Sequence, residues 1–208
     1  MKSILILCNG SPPSEQLFGK YRAKTDHFIA ADGGANIALE LGSAPDVIIG
    51  DLDSYEGSEK EDSEIIFRPS QEFNDLEKAL QHAQEISGTH IYILGATGHR
   101  LDQTLKNLSV LKQFSPRFQQ IRIVDNFGET RLLPPTFSDD FTVGTQLSLF
   151  PLSGKVTGIT TKGLKYPLNN EFLKNGVRDG SSNEVIENPV QINHQKGDLL
   201  LYVKHNDN

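Results

Sequence analysis

Cysteine is nearly absent: Cys8 is the one thiol in 208 residues. That excludes an intrachain disulfide and any zinc site built on cysteine. Cys8 lies inside the apolar run Ile4-Leu5-Ile6-Leu7-Cys8, where a small buried strand residue is expected rather than a nucleophile. No apolar run approaches the roughly 18 residues of a membrane helix. The N-terminus has one lysine and a short apolar stretch before Asn9-Gly10, which reads as a first strand and not as a signal peptide. A cytoplasmic protein with no membrane partner is expected. Basic residues are in the minority, 20 Lys and Arg against 27 Asp and Glu, for a net charge of −7. A nucleic-acid binder more often carries a basic face, so no nucleic-acid partner is expected. His27, His82, His90, His99, His194 and His205 form no metal-ligand spacing such as His-Glu-x-x-His. No Gly-x-Ser-x-Gly elbow supports a serine nucleophile.

What the chain does have is four acidic, glycine-flanked turns, each after a short apolar run. They are Ala31-Asp32-Gly33-Gly34-Ala35-Asn36, Gly50-Asp51-Leu52-Asp53-Ser54, Phe73-Asn74-Asp75, and Gly95-Ala96-Thr97-Gly98-His99-Arg100-Leu101-Asp102. Carboxylates on the ends of neighbouring strands make a cluster of hard oxygen donors, which suits magnesium and, through it, phosphate.

The first ~125 residues alternate strand and helix signals, as a parallel α/β sheet does. Strands are expected at Ser3–Cys8, His27–Ala31, Val47–Ile49, Ile65–Phe67, His90–Leu94 and Ile121–Val124. Helices are expected at Ala35–Leu41, Asp75–Ile86 with Asn74 as N-cap, and Leu101–Phe114. Beyond Asp125 the helical periodicity stops. Short runs between glycines follow at Thr130–Leu133, Phe141–Val143, Gln146–Phe150, Lys155–Thr161, Glu184–Glu187, Val190–Asn193 and Asp198–Val203, the pattern of an antiparallel β-sandwich. The expected domains are 1–126 and 127–208. The acidic stretch Ser58–Glu64 reads as a solvated loop.

Each motif has a plainer alternative. In an extended chain residues i and i+2 point the same way, so Asp51 and Asp53 can face one cation; alternatively they bond their own turn. Asn74-Asp75 caps a helix, and that helix N-terminus is also an anion site. Gln71 precedes it, and Lys78 sits one turn in, within reach of a phosphate. The turn containing Thr97 offers backbone N–H groups to phosphate but lacks a P-loop ending and a third glycine. Arg100 suits a phosphate clamp, and Asp102 either a metal or a cap. Asp32 and Gly33 suit a ligand close to the backbone, or a tight turn. Tyr166 offers a stacking face, or is an ordinary strand aromatic. Ser182 and Asn183 are small polar turn residues.

In order along the chain, these motifs resemble the thiamine pyrophosphokinase family. Ser148-Leu149-Phe150-Pro151-Leu152, Gly163-Leu164-Lys165-Tyr166-Pro167-Leu168 and Ser182-Asn183 continue the match through the second half. The resemblance implies a Rossmann-like α/β domain followed by a β-sandwich, in a homodimer with its active site at the subunit interface. It implies transfer of the diphosphoryl group of ATP to the thiamine hydroxyl, giving thiamine diphosphate and AMP. Under it, Asp51, Asp53 and Asp75 match the magnesium-binding residues. Gln71, Asn74, Lys78, Arg100 and Asp102 match positions around the nucleotide and its phosphates. Tyr166 matches an aromatic that packs on thiamine, and Ser182 and Asn183 a motif near the pyrimidine. His99 stands where glycine is usual, Gln103 where histidine is usual, and Tyr166 where tryptophan is common. Another magnesium-dependent phosphotransferase or phosphohydrolase would use the same carboxylates; a non-catalytic thiamine- or nucleotide-binding protein is the further alternative.

Overall fold

The computed structural model describes residues 1–57 and 62–206. Most of the acidic stretch that begins at Ser58 therefore lies outside the described residues. The chain divides into two compact units, Met1–Asn126 and Phe127–Asn208.

The first unit runs β1 (Ser3–Leu7), α1 (Glu15–Arg22), β2 (His27–Ala31), α2 (Gly34–Glu40), β3 (Val47–Gly50), β4 (Glu64–Phe67), α3 (Asp75–Glu85), β5 (His90–Leu94), α4 (Leu101–Phe114) and β6 (Gln120–Val124). Its strands pair in parallel in the order β6-β5-β1-β2-β3-β4. The inner strands are continuous apolar runs because helices cover both faces of such a sheet. Ile4, Leu5, Ile6 and Leu7 are fully buried. Leu5 and Leu7 join Leu17, Phe18 and Tyr21 of α1 and Ile37 and Ala38 of α2 in one cluster. Strand alternation then puts Ile4 and Ile6 on the opposite face. Helix α3 packs on β2 and β3 and buries Leu76, Ala79, Leu80 and Ala83, the face its spacing predicts. Helix α1 is not among the helices expected above. Ser14 caps it by accepting from the Leu17 N–H at 3.2 Å, and Leu17, Phe18 and Tyr21 anchor it.

The chain moves outward from β1 to β4. Helix α3 then brings it back to the other side of β1 for β5 and β6. The strand order therefore reverses between β1 and β5, and loops that diverge at such a reversal open a crevice at the carboxyl ends of the strands.

The second unit contains β7 (Gly128–Leu132), β8 (Thr136–Asp139), β9 (Gln146–Pro151), β10 (Lys155–Lys162), β11 (Glu171–Lys174), β12 (Gly180–Glu184), β13 (Val190–Asn193) and β14 (Leu199–Lys204). They pair antiparallel in two layers, β12-β9-β14-β7 and β11-β10-β13-β8. Leu147, Leu149, Leu199 and Leu201 from one layer and Val156, Ile159, Leu173, Val190 and Ile192 from the other share one apolar core. This is the expected sandwich, with local differences. Phe141–Val143 is not a strand: the Asn188 amide donates to the Phe141 carbonyl at 2.6 Å and accepts from its N–H at 3.0 Å. A side chain thus takes the place of a neighbouring strand. Glu184–Glu187 is not a strand either; β12 ends at Glu184. Among the described residues no helix is long and apolar enough to cross a membrane.

Candidate active site

The crevice at the reversal is a cleft of about 540 Å³ in the first unit. Residues just past β1, β2, β3 and β5 line it, together with the first residues of α3 and one side of α4. Close contact between the β1 and β5 loops forms its floor. Gly10 N–H donates to the Gly95 carbonyl at 2.7 Å and Ser11 N–H to the Thr97 carbonyl at 2.8 Å. A side chain on Gly10 would run into both carbonyls, so only glycine fits there. Cys8 lies on this floor, 7% exposed. Burial first, and the Asp75 charge second, push its thiol up to about 12, which leaves it without nucleophilic character.

Three carboxylates converge at the opening. Asp32 follows β2, Asp51 follows β3 and Asp75 begins α3; one oxygen from each lies within 4.8 Å of the others. The backbone at Gly50 allows this approach, since a Cβ there would sit 2.9 Å from the Asp32 Cβ and 3.2 Å from Asp75 Oδ1. Asp32 is 4% exposed. Burial, more than the nearby Asp75 charge, raises its carboxyl above the ordinary value, although it accepts from the Gly33 and Ser54 backbones. Asp51 is shifted the other way, chiefly because Gln71 Nε2 donates to its Oδ2 at 2.9 Å. Lys78 is almost wholly buried, with Nζ 2.9 Å from Asp75 Oδ1. It faces the acidic group as a counter-charge rather than standing free for phosphate.

Asp53 departs from the expected geometry. Leu52 adopts φ 62°, so residues 51 to 53 are not extended and the i, i+2 alignment fails. Leu52 turns inward onto Ala30, Ala35 and Ile48, which takes Asp53 out of the three-carboxylate group. Asp53 still lines the cleft and accepts from the Ser54 hydroxyl at 3.0 Å. Asp32 takes the third place instead. Three carboxylates are hard oxygen donors, so the residues present fit a hard divalent cation such as magnesium.

The remaining predicted residues spread along the rim. Asn74 caps α3 through a capping box with Glu77, and its amide donates to Asn107 at 3.1 Å. Asn107 in turn donates to the Ala96 carbonyl at 2.8 Å, tying the α3 start to the β5 loop. The Thr97 hydroxyl donates to Asp125 at 3.2 Å. Gly33 is buried against Asn9. Arg100 and Asp102 form an exposed ion pair 2.5 Å long, and the guanidinium holds the Asp102 carboxyl below the ordinary value. His99 lines the cleft at φ 53°, a conformation that explains the preference for glycine there. Gln103 lies beside it on the wall. Ser54, which closes the Gly-Asp-Leu-Asp-Ser turn, also lines the cleft, as do Asn9 and Asn107, which the sequence did not single out. Asn9-Gly10 repeats the pattern of the acidic turns, an apolar run ending in a polar residue and glycine, and gave the one available signal.

Tyr166, Ser182 and Asn183 belong to the second unit. Asn183 is buried and bonds the Tyr166 backbone, while Tyr166 itself is 63% exposed. Ser182 is exposed at φ 57°, its N–H donating to the Ser148 hydroxyl at 3.0 Å.

Two family models match the chain. Residues 18–124 match "Thiamin pyrophosphokinase, catalytic domain", and residues 136–199 match "Thiamin pyrophosphokinase, vitamin B1 binding domain". Thiamine pyrophosphokinase of Bacillus subtilis is 28% identical over 209 residues, covering 97% of this chain and 98% of that protein. Thiamine pyrophosphokinase 1 of Oryza sativa subsp. japonica is 31% identical over 198 residues, covering 79% and 74%. The crystal structure of the Bacillus subtilis protein superposes with a TM-score of 0.84 at 27% identity, over 99% of this chain and 100% of that one. That of thiamin pyrophosphokinase from Geobacillus thermodenitrificans does so with a TM-score of 0.84 at 26% identity, over 99% and 98%. The chain belongs to the thiamine pyrophosphokinase family.

Proposed function

We propose that this thiamine diphosphokinase takes its diphosphoryl group from ATP and works with magnesium. The observation that carries the reading is the convergence of Asp32, Asp51 and Asp75 at the carboxyl ends of a parallel sheet, where α/β proteins bind nucleotides. The first unit is proposed as the nucleotide and metal domain, with Gly33, Gln71, Asn74, Thr97 and Arg100 on the nucleotide side. The second is proposed as the thiamine domain, with Tyr166 and Ser182 facing the substrate and Asn183 holding the Tyr166 backbone. We further propose a cytoplasmic homodimer with the active site at the subunit interface. The Tyr166 ring, left exposed by its own unit, supports that arrangement.

In the reaction the thiamine hydroxyl oxygen bonds to the β-phosphorus of ATP. The bond from that phosphorus to the α,β-bridging oxygen breaks, and AMP departs with the electron pair. Such transfers depend on positioning and charge neutralisation. Asp32, Asp51 and Asp75 would hold the magnesium, with Asp53 proposed as an outer member of the set. The ion would neutralise phosphate oxygens as charge develops on them. Lys78 balances the carboxylates from below. Arg100, whose partner is the exposed Asp102, is available to exchange that partner for a phosphate. That exchange would release Asp102 to accept the hydroxyl proton, the role proposed for it.

The test is an incubation with ATP, magnesium and thiamine. AMP and thiamine diphosphate are expected in equal amounts, and only with thiamine present. ADP or free phosphate in their place would overturn the proposal.

A further inference from the structure

Asn183 lies on β12 with 8% of its surface exposed. Its amide is committed to the backbone. Nδ2 donates to the Tyr166 carbonyl at 2.8 Å, while Oδ1 accepts from the N–H of Tyr166 at 3.0 Å and of Glu184 at 2.9 Å. An amide oxygen has two acceptor sites, and both are filled. The side chain therefore grips residue 166 by its N–H and its C=O, as a neighbouring strand would. The flanking segment is fixed as well. Lys165 N–H donates to the Glu184 carbonyl at 2.9 Å, and its ammonium reaches Glu184 Oε2 at 2.9 Å. Leu164 pairs with Val185, and Ile186 N–H donates to the Gly163 carbonyl at 2.9 Å. A held backbone in an aromatic residue that is 63% exposed offers a stacking surface prepared in advance, which lowers the ordering cost of binding.

We infer that Asn183 is a positioning residue that fixes where the Tyr166 ring is presented, and that it does not itself touch the substrate. This rests on the reading in which Tyr166 packs on thiamine. The chain has no tryptophan, so Tyr166→Trp places a single indole at the position in question. In that full-length background, Asn183→Ala is expected to lower the indole anisotropy. In the native background it is expected to raise the KM for thiamine roughly tenfold, and more than it lowers kcat. Combined with Tyr166→Ala, Asn183→Ala is expected to add almost nothing, because the ring through which it acts is gone. Asn183→Asp keeps the acceptor and loses the donor to the Tyr166 carbonyl; it should lie between Asn183→Ala and the native chain, and replaces the alanine variant in every arm if that one does not fold. Additive effects in the Tyr166→Ala background, or an unchanged indole anisotropy, would overturn the inference. If Tyr166→Ala alone left the thiamine KM unchanged, the placement of thiamine would fail instead, while the anisotropy would still judge the clamp.

Discussion

Asp51 and Gln71 make a pair whose energetics can be separated from folding. The carboxylate is held low by one amide donor and sits among like charges. Asp51→Asn should lower turnover by about a hundredfold or more, equivalent to roughly 3 kcal/mol of transition-state stabilisation. The melting temperature should stay level or rise, because a repulsive charge is removed. Near-native turnover would refute the metal assignment. His99 has the opposite balance. A β-carbon at φ 53° costs about 1 kcal/mol, part of which glycine loses again through its freer unfolded chain. His99→Gly should therefore raise the melting temperature slightly, against the usual outcome of removing a side chain; a lower value would show that the imidazole makes a stabilising contact. Part of this residue detail was legible in the sequence and part was not. That Asp51 and Asp75 end a strand and open a helix could be read from their turns. That Asp32 and not Asp53 lies beside them could not, because it depends on Leu52 entering the left-handed region to reach the core beneath it.

Helix α3 links stability to chemistry at its first turn. Its capping box satisfies two backbone donors through Asn74 and Glu77, and the next residue is Asp75. Asn74→Ala should cost about 1 kcal/mol and a few degrees of melting temperature. Turnover should fall further than the unfolded fraction accounts for, since Asp75 and the link to Asn107 lose their support; equal losses would mean that the cap serves folding alone. The same helix shows which elements could be anticipated. Strands covered on both faces, and helices with a cap followed by a regular apolar face, stood out. Strand β12 did not, because Gly-Ser-Ser-Asn-Glu has little strand preference and is held extended by its pairing with β9. Strand β11 and helix α1 are only 4 and 8 residues long, too short for their periodicity to speak clearly.

Across the whole molecule, each unit contains a histidine whose charged form burial disfavours. His27 in the first and His194 in the second are both lowered from 6.5, chiefly by desolvation, with Asp46 and Asp198 opposing. Among the described residues, the buried His194 Nδ1 and His27 Nε2 have no hydrogen-bond partner. The unfolded chain therefore binds more protons than the folded one once pH falls below about 6.5. Their contribution is present above that value and is lost as pH falls towards the lower native values. Denaturant titrations at pH 7.5 and 5.5 should show lower stability in acid. The loss should shrink in His27→Gln and His194→Gln, and a pH response unchanged in both would refute the assignment. The sealed thiol on the cleft floor has a practical meaning at this scale. Buried and with its thiol pushed up, Cys8 is expected to react far more slowly with a maleimide than an exposed cysteine. Cysteines introduced one in each unit would therefore take the label first, and a pair of labels there could report the distance between the units through a catalytic cycle.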